Sequence, residues 1–332
     1  MPTHTPTKTT RRDLYAEVTD KLIAAIEADP ADPKMPWRRS NAPLWRPLNA
    51  VTQKPYRGIN VLMLWGAAET QCTAESQPLD TNLWATYNQW LEIGAQVKKG
   101  EKASQIIKYG EYEVVPDGSD ADDDGKRLYL KSYSVFNARQ VEGFIIPDAP
   151  EALPPLQRIA LAEAFVANTK ALIVEGGERA FYQPSNDTIH MPDDTLFTGT
   201  ADDGSDRAQS YAAVKLHETI HWTSIETRCD RQLGKRFGDG AYAAEELVAE
   251  IGAAFLCADL GITQDVRADH AQYLAHWLRL LKGDSKAIFT VAAAAERAVE
   301  FLKGLQPAAP APDRPTTPDA PPDPSPTPEG PA

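Results

Sequence analysis

The sequence predicts an α+β fold in which an N-terminal part mixes helices with antiparallel strands and a C-terminal part is mostly helical. Three observations support this prediction. Apolar residues recur at helical spacing in the first helix and in most of the chain beyond residue 156, while short strand-like runs bounded by turn residues occupy residues 104–136. The last 26 residues contain eleven prolines and almost no large apolar side chain, so we expect a disordered tail.

The N-terminal part begins with an amphipathic helix, predicted over residues 13–29 from the helical spacing of Leu14, Val18, Leu22 and Ile26. Two more helices are predicted over residues 57–69 and 82–93, the latter ending at Gly94. Strands are predicted over residues 104–109, 112–115 and 127–136. These elements make up a predicted domain over residues 13–146, preceded by a flexible N-terminus over residues 1–12.

A linker containing four prolines, over residues 147–155, separates this domain from the C-terminal one. The C-terminal domain is predicted over residues 156–304, with short strands at 171–174, 180–182 and 188–191. Its predicted helices cover residues 156–169, 206–225, 241–260, 266–282 and 285–302. The Pro-rich tail follows over residues 305–332.

The composition indicates a cytoplasmic globular protein. Hydrophobic residues make up 42% and charged residues 24% of the 332 residues, which is ordinary for this class. Three widely separated cysteines without a CxxC pair exclude a disulfide scaffold and indicate reduced thiols. The first residues lack the apolar core of a secretory signal, and the most apolar stretch, residues 251–260, is too short to span a bilayer, so we expect no membrane association.

The charge is unevenly distributed along the chain. The formal net charge is −13, yet residues 1–110 hold 14 Lys and Arg against 11 Asp and Glu, a balance of +3. From residue 151 onward the count is 16 against 27, a balance of −11. A locally basic N-terminal part is compatible with a nucleic-acid partner even in an acidic protein.

The sequence His217-Glu218-Thr219-Ile220-His221 forms an HExxH motif within a predicted helix. Residues four apart share a helical face, so the two imidazoles can bind one Zn²⁺, and Glu218 can take a proton from a water at the metal. The alternative is a surface helix with two ordinary histidines, because a five-residue motif of this kind also arises by chance.

A third ligand is predicted on the next long helix, where Glu246 and Glu250 lie one turn apart. We expect Glu246 to bind the metal and Glu250 to accept a hydrogen bond from a ligand imidazole, which would fix its tautomer. Glu245 is compatible with a solvated acidic helix face. The same donors accept Mn²⁺ or Co²⁺ in place of Zn²⁺.

The spacing from His217 and His221 to Glu246, Ala249 and Glu250 resembles that of the gluzincins, zinc metallopeptidases with a glutamate ligand. The resemblance implies a gluzincin-like metallopeptidase fold for the C-terminal domain, with residues 181–192 supplying the edge strand along the cleft.

The N-terminal motifs are similar to those of ArdC-type antirestriction proteins, in which a zincin-like domain also follows. These motifs are Pro36-Trp37-Arg38, Lys54-Pro-Tyr56-Arg57-Gly58-Ile59-Asn60, Trp84-x-x-Tyr87-x-x-Trp90, Gly94-x-x-Val97-Lys98-Lys99-Gly100-Glu101-Lys102 and Val135-Phe136-Asn137-x-x-Gln140-x-x-Gly143. The resemblance covers residues 13–303. It implies that the N-terminal domain binds single-stranded DNA and that the protein protects incoming plasmid or phage DNA from host restriction.

Aromatic and basic residues alternate in the predicted N-terminal loops, a combination that can stack on bases and follow a phosphate backbone. The predicted DNA-binding residues are Trp37, Arg38, Arg39, Trp45, Tyr56, Arg57, Lys98, Lys99 and Lys102. Trp65, Trp84 and Trp90 lie in apolar segments and are predicted to be core residues.

Two functions therefore remain open from the sequence. The first is a single-stranded-DNA-binding antirestriction protein with an attached zinc domain. The second is a zinc-dependent endopeptidase whose N-terminal half recognises a protein substrate, with Glu218 as the general base. The expected partners are single-stranded DNA and, under the second reading, a protein substrate or a host restriction component.

Overall fold

The computed structural model describes residues 13–27, 35, 45–113, 126–148, 153–197, 205–262 and 270–308. The predicted flexible N-terminus, most of the Pro-rich tail and the predicted DNA-binding residues Trp37, Arg38 and Arg39 lie outside these ranges.

The N-terminal part is built on a four-stranded sheet with helices beside it. Its helices are α1 (Leu14–Glu27), α2 (Ile59–Thr70) and α3 (Tyr87–Glu92). Its strands are β1 (Leu48–Asn49), β2 (Leu83–Thr86), β3 (Gln96–Val97), β4 (Ser104–Glu113), β5 (Lys126–Asn137) and β6 (Val141–Glu142). The sheet order is β1-β2-β5-β4, antiparallel except for the β1–β2 pair, and β3 pairs separately with β6.

The predicted helix over residues 82–93 is wrong in its first half. Residues Leu83–Thr86 form strand β2, which pairs with β5, and only Tyr87–Glu92 are helical. Thr86 starts the helix, because its hydroxyl accepts a hydrogen bond from the Gln89 amide while the Gln89 side chain bonds back to the Thr86 amide. The short apolar run before this cap is a strand because it lies buried in the sheet, which its helical spacing could not reveal.

Residues 104–109 and 112–113 of the two predicted strands belong to a single ten-residue strand, β4, while residues 114–115 lie outside the described ranges. Gly110, between the two predicted strands, continues β4 opposite Tyr129. A Cβ on residue 110 would lie 2.1 Å from Cζ of the Tyr129 ring, so a larger residue here would require that ring to move.

The C-terminal part places a three-stranded sheet beside a group of helices. The strands are β7 (Leu172–Glu175), β8 (Phe181–Gln183) and β9 (Thr188–Met191), in the order β7-β9-β8, so that β8 is an antiparallel edge strand. The helices are α4 (Pro155–Asn168), α5 (Ser205–Trp222), α6 (Leu233–Phe237), α7 (Ala241–Leu260), α8 (His270–Gly283) and α9 (Ala287–Gly304). The short helix α6 was not predicted. The α+β class is confirmed.

One continuous hydrophobic core includes residues from both parts. Helices α1 and α2 pack in the same cluster as α5, α7 and α9. Trp65 of α2 meets Phe255 of α7 edge-on at 5.7 Å between ring centroids, and Tyr15 of α1 meets Phe289 of α9 at 4.7 Å. The predicted domain boundaries stay predictions, but the two parts are joined by extensive apolar packing.

Among the helices of the described ranges, none combines the length and hydropathy that a membrane span requires.

Candidate metal centre

Helices α5 and α7 cross closely enough to bring their side chains to a common point. The residues of α7 from Leu247 to Ala258 are buried, and many of them are small. At the crossing, a Cβ on Gly252 would lie 2.9 Å from Cδ1 of Ile220, the residue that precedes His221. The absence of a side chain at Gly252 therefore permits the short distance between the two helices.

The three predicted metal ligands converge at this crossing. Nε2 of His217 lies 3.7 Å from one carboxylate oxygen of Glu246, and Nε2 of His221 lies 3.6 Å from the other. One ligand atom from each residue lies within 4.8 Å of the others. Two imidazole nitrogens and one carboxylate are a donor set that suits a divalent transition-metal ion and leaves a position open. The residues present therefore fit a metal, and the ligand assignment itself stays a prediction.

The remaining imidazole nitrogens also face carboxylates. Nδ1 of His221 lies 3.1 Å from Oε1 of Glu245, within hydrogen-bond distance. Nδ1 of His217 lies 3.8 Å from Oε2 of Glu250, which is longer than a hydrogen bond. The predicted role of Glu250 thus stays a prediction, supported by its position and by its burial at 1% exposure.

Sequence reasoning missed Arg231 and treated Glu245 as compatible with a solvated helix face, whereas Glu245 is paired with His221 and Arg231. The Arg231 guanidinium is buried, donates to Glu245 with an Nε–Oε2 distance of 2.9 Å, and donates from Nη2 to the Ile220 carbonyl at 2.8 Å. Arg231 therefore holds Glu245 at the end of α5. Glu245 in turn holds the ring of His221. The only signal in the sequence was the pair of adjacent glutamates, because Arg231 lies in a loop without any periodicity.

The carboxylates change the protonation of the site. Burial opposes charge on His221, but hydrogen bonds to Glu245 and Glu246 outweigh it and raise its pKa to about 10. Burial likewise disfavours the charged form of Glu246, yet the two imidazoles hold the pKa of this carboxyl well below its ordinary value. The carboxylates therefore create an environment at the centre that favours positive charge.

Glu218 lies between the two histidines in sequence and is buried on α5, with 3% of its surface exposed. Its negative charge is among those that favour the protonated form of His221. The predicted role of Glu218 in proton transfer stays a prediction, supported by the burial of this carboxylate next to the candidate ligands in sequence.

Residues 181–192 were expected to supply the edge strand, but only Phe181–Gln183 form the edge strand β8, whereas Thr188–Met191 form the central strand β9. Both strands pack against α5. On β8, Phe181 stacks on His190 of β9 at 4.5 Å, and the Tyr182 hydroxyl donates to Asp187 at 2.9 Å. Arg228 pairs with Asp187 and covers Trp222 of α5, which ties the β8–β9 turn to the helix that carries the candidate ligands.

The predicted DNA-binding residues within the described ranges do not share one environment. Trp45 is partly buried, and its carbonyl accepts a hydrogen bond from the indole of Trp65 at 2.9 Å. The hydroxyl of the partly buried Tyr56 donates to the Trp84 carbonyl at 3.3 Å. Arg57 forms ion pairs with Glu296 and Glu300 of α9. These residues are engaged in packing or ion pairs.

The lysine cluster after β3 is more accessible. Lys99 and Lys102 are exposed, whereas Lys98 is half-buried and donates to the Arg139 carbonyl at 3.4 Å. The three tryptophans predicted as core are buried: Trp65 is 4%, Trp84 1% and Trp90 0% exposed.

The fold and the site together define a protein with a zincin-like domain. Residues 160–295 match the family model of a zincin-like metallopeptidase, and residues 12–136 match that of the N-terminal domain of anti-restriction factor ArdC. The metal-free crystal structure of the antirestriction ArdC protein from plasmid R388 superposes with a TM-score of 0.70 at 39% identity, over 89% of this chain and 98% of that one. The chain belongs to the ArdC antirestriction family, and its zincin-like domain implies a divalent metal.

Other relatives cover most of this chain. An uncharacterized protein, y4eC, of Sinorhizobium fredii is 38% identical over 305 residues, which are 90% of this chain and 94% of that protein. A DNA primase TraC of Escherichia coli is 34% identical over 321 residues, but the match spans only 27% of that longer protein. The Mn(II)-bound structure of the R388 ArdC protein superposes with a TM-score of 0.67.

Proposed function

We propose that this protein binds single-stranded DNA through residues 13–146 and protects incoming plasmid or phage DNA from host restriction. The observation that carries the proposal is the match to ArdC along both parts of the chain, at 39% identity over 89% of its length. The relatives named DNA primase TraC are consistent with it. The protein would act in the cytoplasm, where incoming DNA meets restriction enzymes.

The charge distribution supports a DNA partner for the N-terminal part. Residues 1–110 carry an excess of three positive charges in a chain whose net charge is −13. Lys99 and Lys102 are exposed there and can contact phosphates. Arg38 and Arg39 for phosphates and Trp37 for base stacking are further proposed contacts, and all three lie outside the described ranges. Phosphate contacts make affinity fall as salt rises, which gives the proposal a measurable signature.

The metal proposed for the centre is Zn²⁺, held by His217, His221 and Glu246, with Mn²⁺ or Co²⁺ as alternatives for the same donors. When bound, the ion supplies Lewis-acid chemistry at this position. Glu245 and Arg231 orient the His221 ring, and Glu250 faces the His217 ring. Glu218 would take a proton from a water at the centre and pass it to a leaving group.

A second function, zinc-dependent endopeptidase activity, is favoured by one observation: Glu218 is intact and buried beside the candidate ligands. Under this proposal β8, an antiparallel edge strand, would pair with an extended peptide, and the N-terminal part would recognise a protein substrate. If the protein substrate is a host restriction component, its cleavage would protect incoming DNA and would account for antirestriction.

The deciding experiment is transfer of unmodified DNA into a restricting host that expresses the full-length protein. We compare Glu218→Ala with the double variant Trp37→Ala, Arg38→Ala, after checking that both retain metal and fold. Protection that survives Glu218→Ala and fails in the double variant supports DNA binding as the function. Loss of protection in Glu218→Ala alone, with metal and DNA binding intact, makes hydrolysis the central activity.

A further inference from the structure

Strand β5 alternates basic and aromatic residues in its first half. Tyr129, Lys131 and Tyr133 occupy every second position of the strand. Successive residues of a strand point to opposite faces of the sheet, so these three positions belong to one face. In the register with β4, Lys108 is opposite Lys131, and Gly110 is opposite Tyr129.

Part of the opposite face of this hairpin packs against the core, although Tyr109 on that face is 47% exposed. Ile107 of β4 is 4% exposed within the main hydrophobic cluster, and Leu130 of β5 packs against the same cluster. Lys108 and Lys131 are exposed, and Tyr129 is 39% exposed. The face that carries the lysines and tyrosines is therefore exposed to solvent from Lys108 towards the end of β4. Ile106, on the same face, is partly buried against α2. We call Lys108, Tyr129, Lys131 and Tyr133 the hairpin face.

The two lysines of the hairpin face form a like-charge pair directly across the strands. Such a pair destabilises an antiparallel sheet, because the charges lie close together on one surface. Within the described part of the chain no carboxylate forms an ion pair with either lysine; the Lys131 ammonium instead lies 5.2 Å from the centroid of the Tyr133 ring. Positive charge that the fold leaves uncompensated is complementary to a polyanion.

Tyr129 is positioned as a flat platform beside these charges. Its ring lies over Gly110, where a Cβ would come within 2.1 Å of the ring. One side of the ring is thus held against the backbone of β4, and 39% of the residue is exposed to solvent. Bases stack on such rings irrespective of sequence, provided that they are unpaired.

We propose that the hairpin face binds single-stranded DNA, with Tyr129 and Tyr133 stacking on bases and Lys108 and Lys131 contacting phosphates. This inference rests on the proposed DNA-binding function and gives it a surface that is separate in sequence from the predicted loop residues. Duplex DNA offers the phosphates but not the base faces, so the surface discriminates in favour of the single strand.

The test uses full-length protein and a fluorescent 20-nucleotide oligothymidine, with duplex of the same length, across a salt titration. Lys108→Gln combined with Lys131→Gln should reduce the slope of log affinity against log salt by about 1.4, since each phosphate contact contributes about 0.7 on a single strand. Tyr129→Leu, which keeps Gly110 covered, should weaken binding about tenfold without changing that slope. The matched control, Lys21→Gln with Lys235→Gln, removes two exposed lysines elsewhere and should leave both quantities unchanged.

The outcomes separate this inference from the function on which it rests. Wild-type protein that binds neither form of DNA at low salt overturns the proposed function. If the lysine and tyrosine variants bind DNA with the affinity and salt dependence of the wild type, only the proposal for the hairpin face is overturned. The unfolding temperature of the lysine variant should equal or exceed that of the wild type, because the like-charge pair is removed, so a loss of binding would not reflect unfolding.

Discussion

At the scale of single residues, His221 shows how the chain can orient a candidate ligand before a metal binds. An imidazole that binds a metal through Nε2 keeps its proton on Nδ1, and Glu245 accepts a hydrogen bond there at 3.1 Å. Arg231 holds Glu245 in place and is itself anchored to the Ile220 carbonyl. Glu245 and Arg231 are positioning residues, whereas Glu246 offers its oxygens to the centre.

This division predicts graded effects on metal affinity. Glu246→Ala should abolish stoichiometric metal binding, because two protein donors remain. Glu245→Gln should lower the affinity about 10- to 100-fold, since the ring of His221 loses its charged acceptor. Glu218→Ala should leave the affinity near that of the wild type. Titration calorimetry on metal-stripped protein measures all three.

The control for these variants is Glu226→Gln, which changes an exposed carboxylate just beyond α5 and should have no effect. Full metal content in Glu246→Ala would show that the third ligand lies elsewhere. Equal losses in Glu245→Gln and Glu246→Ala would contradict the separation of binding and positioning.

At the scale of elements, the crossing of α5 and α7 determines whether the ligands can meet. The sequence marks α7 as rich in alanine, and these small residues are buried along the crossing. Gly252 makes the closest approach, with Ile220 of the HExxH segment filling the space that a side chain would need. Helix propensity and packing therefore act in opposite directions at this position.

We predict that Gly252→Ala destabilises the protein. Alanine gains about 1 kcal/mol of helix propensity over glycine, but forcing a methyl group into this contact costs about 1–3 kcal/mol. The expected net loss is about 1 kcal/mol in urea unfolding, together with weaker metal binding as the helices separate. Gly234→Ala in the exposed helix α6, where no atom lies within 4 Å of the added Cβ, is the matched control and should not be destabilising. A more stable Gly252→Ala variant would refute the packing argument.

At the scale of the whole molecule, the N-terminal and C-terminal parts are held together by a buried arginine as well as by the shared core. Arg46 is 7% exposed and pairs with Glu296 at 3.1 Å and with Asp259 at 3.3 Å. Its guanidinium also lies 4.3 Å from the centroid of the Phe255 ring on α7. Glu296 additionally accepts a hydrogen bond from the Gly58 amide at 2.9 Å, at the start of α2.

Arg46→Met is therefore expected to lower the free energy of unfolding by about 3 kcal/mol, because it leaves two acids near the core without their central partner. Arg57→Gln is the matched control, since Arg57 pairs with the same Glu296 but is 59% exposed, and it should cost at most about 1 kcal/mol. Urea unfolding followed by fluorescence and by circular dichroism measures both variants. Because the core is continuous, the two probes should report a single transition in the wild type, and two separated transitions would contradict this.

The sequence alone predicted the features that depend on local spacing. The HExxH motif placed two imidazoles on one helical face, and the glutamates of α7 followed at the spacing of a second helix. Most helices and the three strands of the C-terminal sheet lie within a few residues of their predicted bounds, since amphipathic periodicity is encoded in short segments. The family resemblance and the fold class, both inferred from these patterns, are confirmed.

Only the tertiary structure decided which residues meet through space. Strand Leu83–Thr86 was mistaken for helix because its partner β5 lies about fifty residues away in sequence, and strand pairing outweighs the local pattern. The roles of Glu245 and Arg231, the engagement of Arg57 by α9 and the like-charge pair of Lys108 and Lys131 depend on contacts between distant segments. The sequence specifies which residues are charged or aromatic. Whether such a side chain is paired, buried or exposed depends on the residues that the fold brings into contact with it.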